Sequence, residues 1–191
     1  MNKQEELVHR CKQGDPAAYT TLYNDHAAAV YNSIVRLLVH TGEAEDILQE
    51  SFVAAFDGIS KFNNTVGFRP WVKRIAINKA IDLIRKRKLR LVELEPVWMD
   101  DTIGEEEVID ETEIEYTIDK ISKAVEALPE NYRTIFNLVA VENIPQTEIA
   151  QMLGIESGTV RIQFYRAKQK ILQTLSKGGR HDERIGEIYR S

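Results

Sequence analysis

EIAQMLGIESGTVRIQFYRAKQKI, residues 148–171, has the spacing of two helices that meet across a sharp turn. Such a crossing needs a small residue at the contact, a turn position that tolerates positive φ, and apolar anchors on both sides. Ala150 is the small residue, Gly154 the turn and Val160 the anchor in the second helix, with Ile149, Leu153, Ile155 and Phe164 completing the apolar side. Ser157 is placed to cap the second helix, which would aim first-turn amides near Gly158 and Thr159 at a phosphate. Arg161, Tyr165, Arg166 and Lys168 follow along the next turns, where a long Arg can reach a base edge or the backbone. The pattern predicts a helix-turn-helix. The same apolar spacing also serves an ordinary helical hairpin.

Outward from this stretch, apolar residues recur at helical intervals almost throughout, and β-branched runs bounded by turn signals are missing. The expected fold is all-α, as two small helical domains joined by an acidic flexible linker, the C-terminal one carrying the helix-turn-helix. Charge marks the divisions. Residues 1–91 hold 14 Lys and Arg against 10 Asp and Glu, residues 92–119 hold none against 12, and residues 120–191 hold 11 against 8. A net charge of -5 thus conceals two mildly basic lobes around an acidic strap. The boundaries expected are 1–91, a linker over 92–117, 118–177, and a polar, loosely ordered tail over 178–191. A flexible linker of that length has an end separation of about 25 to 30 Å, so the two lobes can hold separate sites on one extended partner.

In the first lobe a short helix over residues 3–13 ends at Gly14, and Asp15 with Pro16 begins a longer one running to about His40. Thr41 can cap the next helix, whose core side is Ile47, Leu48, Phe52, Ala55 and Phe56. Asp46, Gln49, Glu50 and Val53 form a neighbouring stripe, either a solvated face or a docking surface. The polar loop over residues 60–67 includes Lys61, Asn63 and Asn64. It leads into FRPWVKRIAINKAIDLIRKRKLR, residues 68–90, with Trp71, Val72, Ile75, Ala76, Leu83 and Ile84 as the expected core face. Arg74, Asn78, Asp82 and Arg85 recur as a polar stripe, and basic residues from Arg85 to Arg90 crowd the helix end. Those cations complement the helix dipole, and they also suit a nucleic-acid backbone.

In the second lobe Ile118, Ile121, Val125 and Leu128 share a face. Pro129 starts a helix containing Ile135, Phe136, Leu138 and Val139, and the last helix is expected to stop at Gly178 and Gly179. The single Cys11 excludes an internal disulfide. No segment has signal-peptide or membrane-span composition, so a cytoplasmic protein without membrane insertion is expected. His9, His26, His40 and His181 are scattered, and neither a phosphate-cradling Gly loop nor a zinc-spaced cluster is present. An enzyme, a cofactor and a metal site are therefore not expected.

Taken in order, these blocks resemble bacterial sigma factors of the extracytoplasmic-function group. GEAEDILQESFVAAF (residues 42–56) is similar to the segment that binds core RNA polymerase, and FRPWVKRIAINKAIDLIRKRK (residues 68–88) to the one that engages and opens the minus-ten region. LPENYRTIFNLVAVENIPQTEIAQMLGIESGTVRIQFYRAKQKI (residues 128–171) is similar to the minus-thirty-five reader. The resemblance implies that Asp46, Gln49 and Glu50 contact the polymerase. It implies that the loop bearing Lys61, Asn63 and Asn64 captures a flipped base, and that Arg74, Asn78, Lys79, Arg85 and Lys86 hold the minus-ten strand. Ser157, Thr159, Arg161, Ile162, Tyr165, Arg166 and Lys168 would then meet promoter DNA upstream. It also implies core RNA polymerase, promoter DNA and an anti-sigma factor as partners. The alternative is a stand-alone helix-turn-helix regulator, which leaves the acidic stripe and the residue 68–88 helix without a role.

Overall fold

A computed structural model describes residues 3–38, 41–63, 65–92 and 118–188, with side chains described to residue 87 in the first part and to residue 176 in the second. The acidic linker expected at 92–117, apart from Val92 itself, and Asn64 lie outside the described residues. The chain divides into two compact units, Met1–Pro96 and Val97–Ser191. All regular structure among the described residues is helical.

The first unit contains α1 (Lys3–Lys12), α2 (Pro16–Leu37), α3 (Thr41–Asp57), a 3-10 turn (Ile59–Lys61) and α4 (Phe68–Val92). The α1–α2 corner follows from three consecutive residues. Gly14 takes φ +82°, and the amides of Gly14 and Asp15 close the end of α1 on the carbonyls of Cys11 and Arg10. Asp15 then accepts from the Ala17 amide at 2.9 Å as the cap of α2, with Pro16 in the first turn. Arg10 grips the same carboxylate through Nε at 2.8 Å and Nη2 at 2.6 Å, so one side chain ties both helices. The pairing and the cap hold the Asp15 carboxyl below its ordinary range.

α4 packs against both α2 and α3 and is buried over a wide arc: Phe68, Val72, Ala76, Ile77, Ala80, Ile81 and Ile84 are all inside. This corrects the narrower face read from periodicity, because Ile75, Leu83 and Trp71 are only half-buried. Phe68 anchors an aromatic cluster with Phe52, Phe56, Phe62 and Trp71, and Tyr19 and Tyr23 join it edge-on through Phe56 and Phe52. Cys11 is buried, and its thiol is pushed up to about 11 chiefly by burial and then by the Asp15 charge.

The second unit contains α5 (Ile118–Glu126), α6 (Glu130–Phe136), a π-helical turn (Asn137–Val141), α7 (Gln146–Leu153) and α8 (Ser157–Ile188). Ala124, Leu128, Ala167, Ile171 and Leu175 form one cluster of its core, with Ile121, Val125, Tyr132 and Phe136 around them. Ile118 is 89% exposed and is not buried with them. It stands at the first residue of α5, before any residue of the core. α8 also continues past Gly178 and Gly179 to Ile188, so most of the stretch expected as a loose tail is helical. Two glycines cost a helix about 1 kcal/mol each but do not forbid it.

Candidate nucleic-acid and polymerase interfaces

Gly154 ends α7 in the left-handed region at φ +67°. The Gly154 amide reaches the Gln151 carbonyl at 3.3 Å and the Ile155 amide reaches the Ala150 carbonyl at 3.0 Å, the paired closure that a glycine at this position permits. The chain turns there and enters α8. Ile149, Ala150 and Val160 are buried where the helices meet, and Phe164 stacks on Phe136 at 6.0 Å. The helix-turn-helix read from residues 148–171 is therefore present. The first bond of α8 runs from the Val160 amide to the Glu156 carbonyl, so Glu156 holds the cap position and Ser157 is the first helical residue. That corrects the assignment of Ser157 as the cap.

Beside and opposite the buried line of Val160, Ala167 and Ile171, α8 exposes Ser157, Arg161, Ile162, Tyr165 and Lys168. Thr159 and Arg166 are half-buried at the margins, and Arg166 has a further interaction of its own. Lys168 sits 5.6 Å over the Phe164 ring, which leaves its ammonium at the border of the exposed strip. Cations along one side of a helix that follows a tight turn suit the major groove of duplex DNA.

In the first unit, Asp46, Gln49, Glu50 and Val53 are all exposed on one side of α3. Asn78, Asp82 and Arg85 line the exposed side of α4, with Arg74 half-buried beside them and Lys86 exposed nearby. Lys79 departs from that stripe. It leans across to α3, where its ammonium meets the Glu50 carboxylate at 2.9 Å. Arg87 likewise turns to α3 and pairs with Glu43, so the basic end of α4 is partly occupied in holding the helices together. Arg85 is 3.7 Å from Asp82 on its own helix.

The loop between α3 and α4 has a footing that sequence inspection missed. Phe62 is buried and stacks on Trp71 at 4.6 Å between centroids, while Lys12 from α1 donates to the Phe62 carbonyl at 2.7 Å. Above that base Lys61 and Asn63 are exposed, and the Asn63 side-chain carbonyl accepts from the Thr65 hydroxyl at 2.9 Å and from its amide at 3.3 Å. The acceptor of Asn63 is thus used inside the loop. Lys12 carried no signal in the sequence, because its partner is a backbone carbonyl 50 residues away.

Two family profiles match the chain, Sigma-70 region 2 over residues 22–90 and Sigma-70 region 4 over residues 118–171. The ECF RNA polymerase sigma factor SigW of Bacillus subtilis (strain 168) is 30% identical over 184 residues, spanning 90% of this chain and 96% of SigW. The chain belongs to the extracytoplasmic-function sigma factors of the sigma-70 family. RNA polymerase sigma-H factor of Pseudomonas aeruginosa is 28% identical over 91% of this chain and 94% of its own length. Solved structures share the fold: CnrH, in complex with the cytosolic domain of CnrY, aligns with a TM-score of 0.52 at 23% identity over 92% of this chain and 99% of that one. The sigma factor RpoE from Bartonella quintana, in complex with the anti-sigma factor NepR, aligns at 0.50 and 18% identity over 83% of this chain and 96% of that one. As a member of the family this extracytoplasmic-function sigma factor directs RNA polymerase to promoters, and it does so by binding rather than by catalysis. Among the described residues no helix is long and apolar enough to cross a membrane.

Proposed function

We propose a division of labour between the units of this sigma factor. Residues 1–91 bind core polymerase through the exposed α3 stripe of Asp46, Gln49 and Glu50 and engage the minus-ten strand through α4 and the preceding loop. Arg74, Asn78, Lys79, Arg85 and Lys86 hold that strand, and the loop with Lys61, Asn63 and Asn64 takes a flipped base. Residues 118–177 read the minus-thirty-five element through Ser157, Thr159, Arg161, Ile162, Tyr165, Arg166 and Lys168, with 92–117 as an acidic linker and 178–191 as a tail. The observation that carries this reading is the pairing of an acidic exposed face on α3 with a basic exposed face on α4, in a unit separate from the helix-turn-helix. A stand-alone duplex binder has no use for the first two.

Unstacking a base costs a few kcal/mol, so a loop that receives it can couple recognition to melting without ATP. The rigid footing of Phe62, Trp71 and Lys12 suits such a loop, since a pocket that must be ordered on binding loses affinity to that ordering. The protein works in the cytoplasm and, as RpoE does in its complex with the anti-sigma factor NepR, binds an anti-sigma factor. Co-elution of the full chain with bacterial core polymerase, followed by run-off transcription, tests the proposal. A complex that initiates at discrete sites is expected. Duplex binding without any association with core would replace it with the stand-alone regulator.

A further inference from the structure

Among the described residues six large apolar side chains are exposed: Val53, Val66, Ile118, Val141, Ile162 and Tyr165. Only Ile162 and Tyr165 stand within one helical turn of each other. They are 51% and 49% exposed, three residues apart on α8, on the side opposite Val160, Ala167 and Ile171. Neighbours at that spacing have Cβ atoms about 5 to 6 Å apart and form one continuous patch. The buried Val160, Ala167 and Ile171 lie on the other side of α8 at this level of the helix. The exposed cations Arg161 and Lys168 lie together along one edge of the patch.

A patch of this kind beside cations fits one surface well. In the major groove the base-pair edges are polar except at the C5 methyl of thymine, and apolar side chains recognise that methyl by burying it. The cations along one edge of the patch can meet a phosphate backbone that flanks the groove. We infer that Ile162, supported by Tyr165, determines specificity by packing on a thymine methyl in the upstream promoter element. This rests on the helix-turn-helix being the minus-thirty-five reader and adds the chemical feature it selects. Arg161 supplies polar contacts alongside, so the pair would favour an element in which thymine adjoins a base with major-groove acceptors.

The full chain is assembled with bacterial core polymerase, and run-off transcription over genomic fragments identifies a promoter that the holoenzyme uses. The upstream element is then synthesised with each thymine in turn replaced by 2′-deoxyuridine, which removes only the methyl. Holoenzyme binding is measured for the wild type, Ile162→Ala and Ile162→Val. At one thymine or two adjacent ones the wild type should lose about fourfold in affinity, the equivalent of ~0.8 kcal/mol for one methyl-sized group. Ile162→Ala should bind thymine and deoxyuridine equally at that position, while Ile162→Val keeps most of the discrimination. Indifference of the wild type to every replacement, an element without thymine, or a loss that persists unchanged in Ile162→Ala overturns the inference and leaves the reader assignment standing. Absence of any promoter-directed transcription overturns both.

Discussion

Lys79 on α4 donates to the Glu50 carboxylate on α3 at 2.9 Å, joining a residue assigned to DNA with a residue assigned to polymerase. The side chains keep 33% and 64% of their exposure, so solvent screens the pair and its worth to folding is small, about 0 to 1 kcal/mol before discounting for that exposure. Its significance lies in occupancy: under the proposed roles, a Glu50 that engaged the polymerase would release Lys79 to a phosphate. Glu50→Gln should weaken core binding several-fold while shifting the thermal midpoint by no more than a few degrees. A titration of labelled chain with core polymerase, beside a thermal melt, checks both; unchanged core affinity removes Glu50 from the interface.

Two glycines give a controlled test of backbone conformation. A Cβ added at Gly14 or at Gly42 meets no atom within 4 Å, so neither substitution clashes. Gly14 sits at φ +82°, whereas Gly42 lies in the first turn of α3. Gly14→Ala should destabilise the first unit by about 1 to 2 kcal/mol, the cost of a left-handed L-residue. Gly42→Ala should stabilise it by about 0.4 to 1 kcal/mol, because the unfolded chain loses freedom it no longer has to surrender. Urea titrations of the two variants should move in opposite directions.

The helices were legible in the sequence because 3.6-residue periodicity is a local property, and so were the Asp15–Pro16 start and the Gly154 turn, each set by one residue's backbone preference. Which arc of a helix is buried is not local. α4 touches both α2 and α3, so Ile77, Ala80 and Ile81 enter the core and Ile75 and Leu83 are left half-buried. The π-helical turn at Asn137–Val141 was likewise invisible, since Asn143 at φ +53° and the Ile144 amide bonded to the Leu138 carbonyl are outcomes of packing Ile144 inside. In the candidate sites, exposure of the α3 and α8 stripes followed from the pattern. The diversion of Lys79 to Glu50 and the Lys12 support of the loop required long-range contacts that no spacing rule contains.

His26 should make the first unit sensitive to mild acid. Its ring packs 5.6 Å from Phe68 with Nδ1 buried and unpartnered, and burial pulls its pKa below the ordinary 6.5; Asp25 opposes this and Arg69 adds to it. Below about pH 6.5 the unfolded chain takes up a proton that the folded protein resists, so stability is full above that pH and declines as pH falls toward the folded value. Melts of the full chain from pH 7.5 to 5 should show a falling midpoint that flattens in His26→Gln. Equal slopes in both proteins would assign the acid sensitivity elsewhere.

Lys12→Met separates melting from binding. The Lys12 ammonium holds the Phe62 carbonyl at 2.7 Å, and Phe62 in turn stacks on Trp71, so α1 fixes the height of the loop that carries Lys61 and Asn63. Methionine keeps the apolar stem and loses only the donor, which leaves the packing of α1 against α2 intact. The Phe62 carbonyl loses a charged donor in a part-buried setting, so the fold should lose about 1 to 3 kcal/mol. The loop would then sample positions in which a flipped base finds no formed pocket, and the ordering must be supplied at the moment of melting. Holoenzyme carrying Lys12→Met should bind a duplex containing only the upstream element as the wild type does, yet form open complexes several-fold less well on a complete promoter. A promoter with a pre-opened, mismatched minus-ten region should recover part of that loss, because the unpairing cost is already met. Equal loss on the duplex and the pre-opened template would place Lys12 in core binding or folding and remove it from support of a base-capturing loop at Lys61 and Asn63.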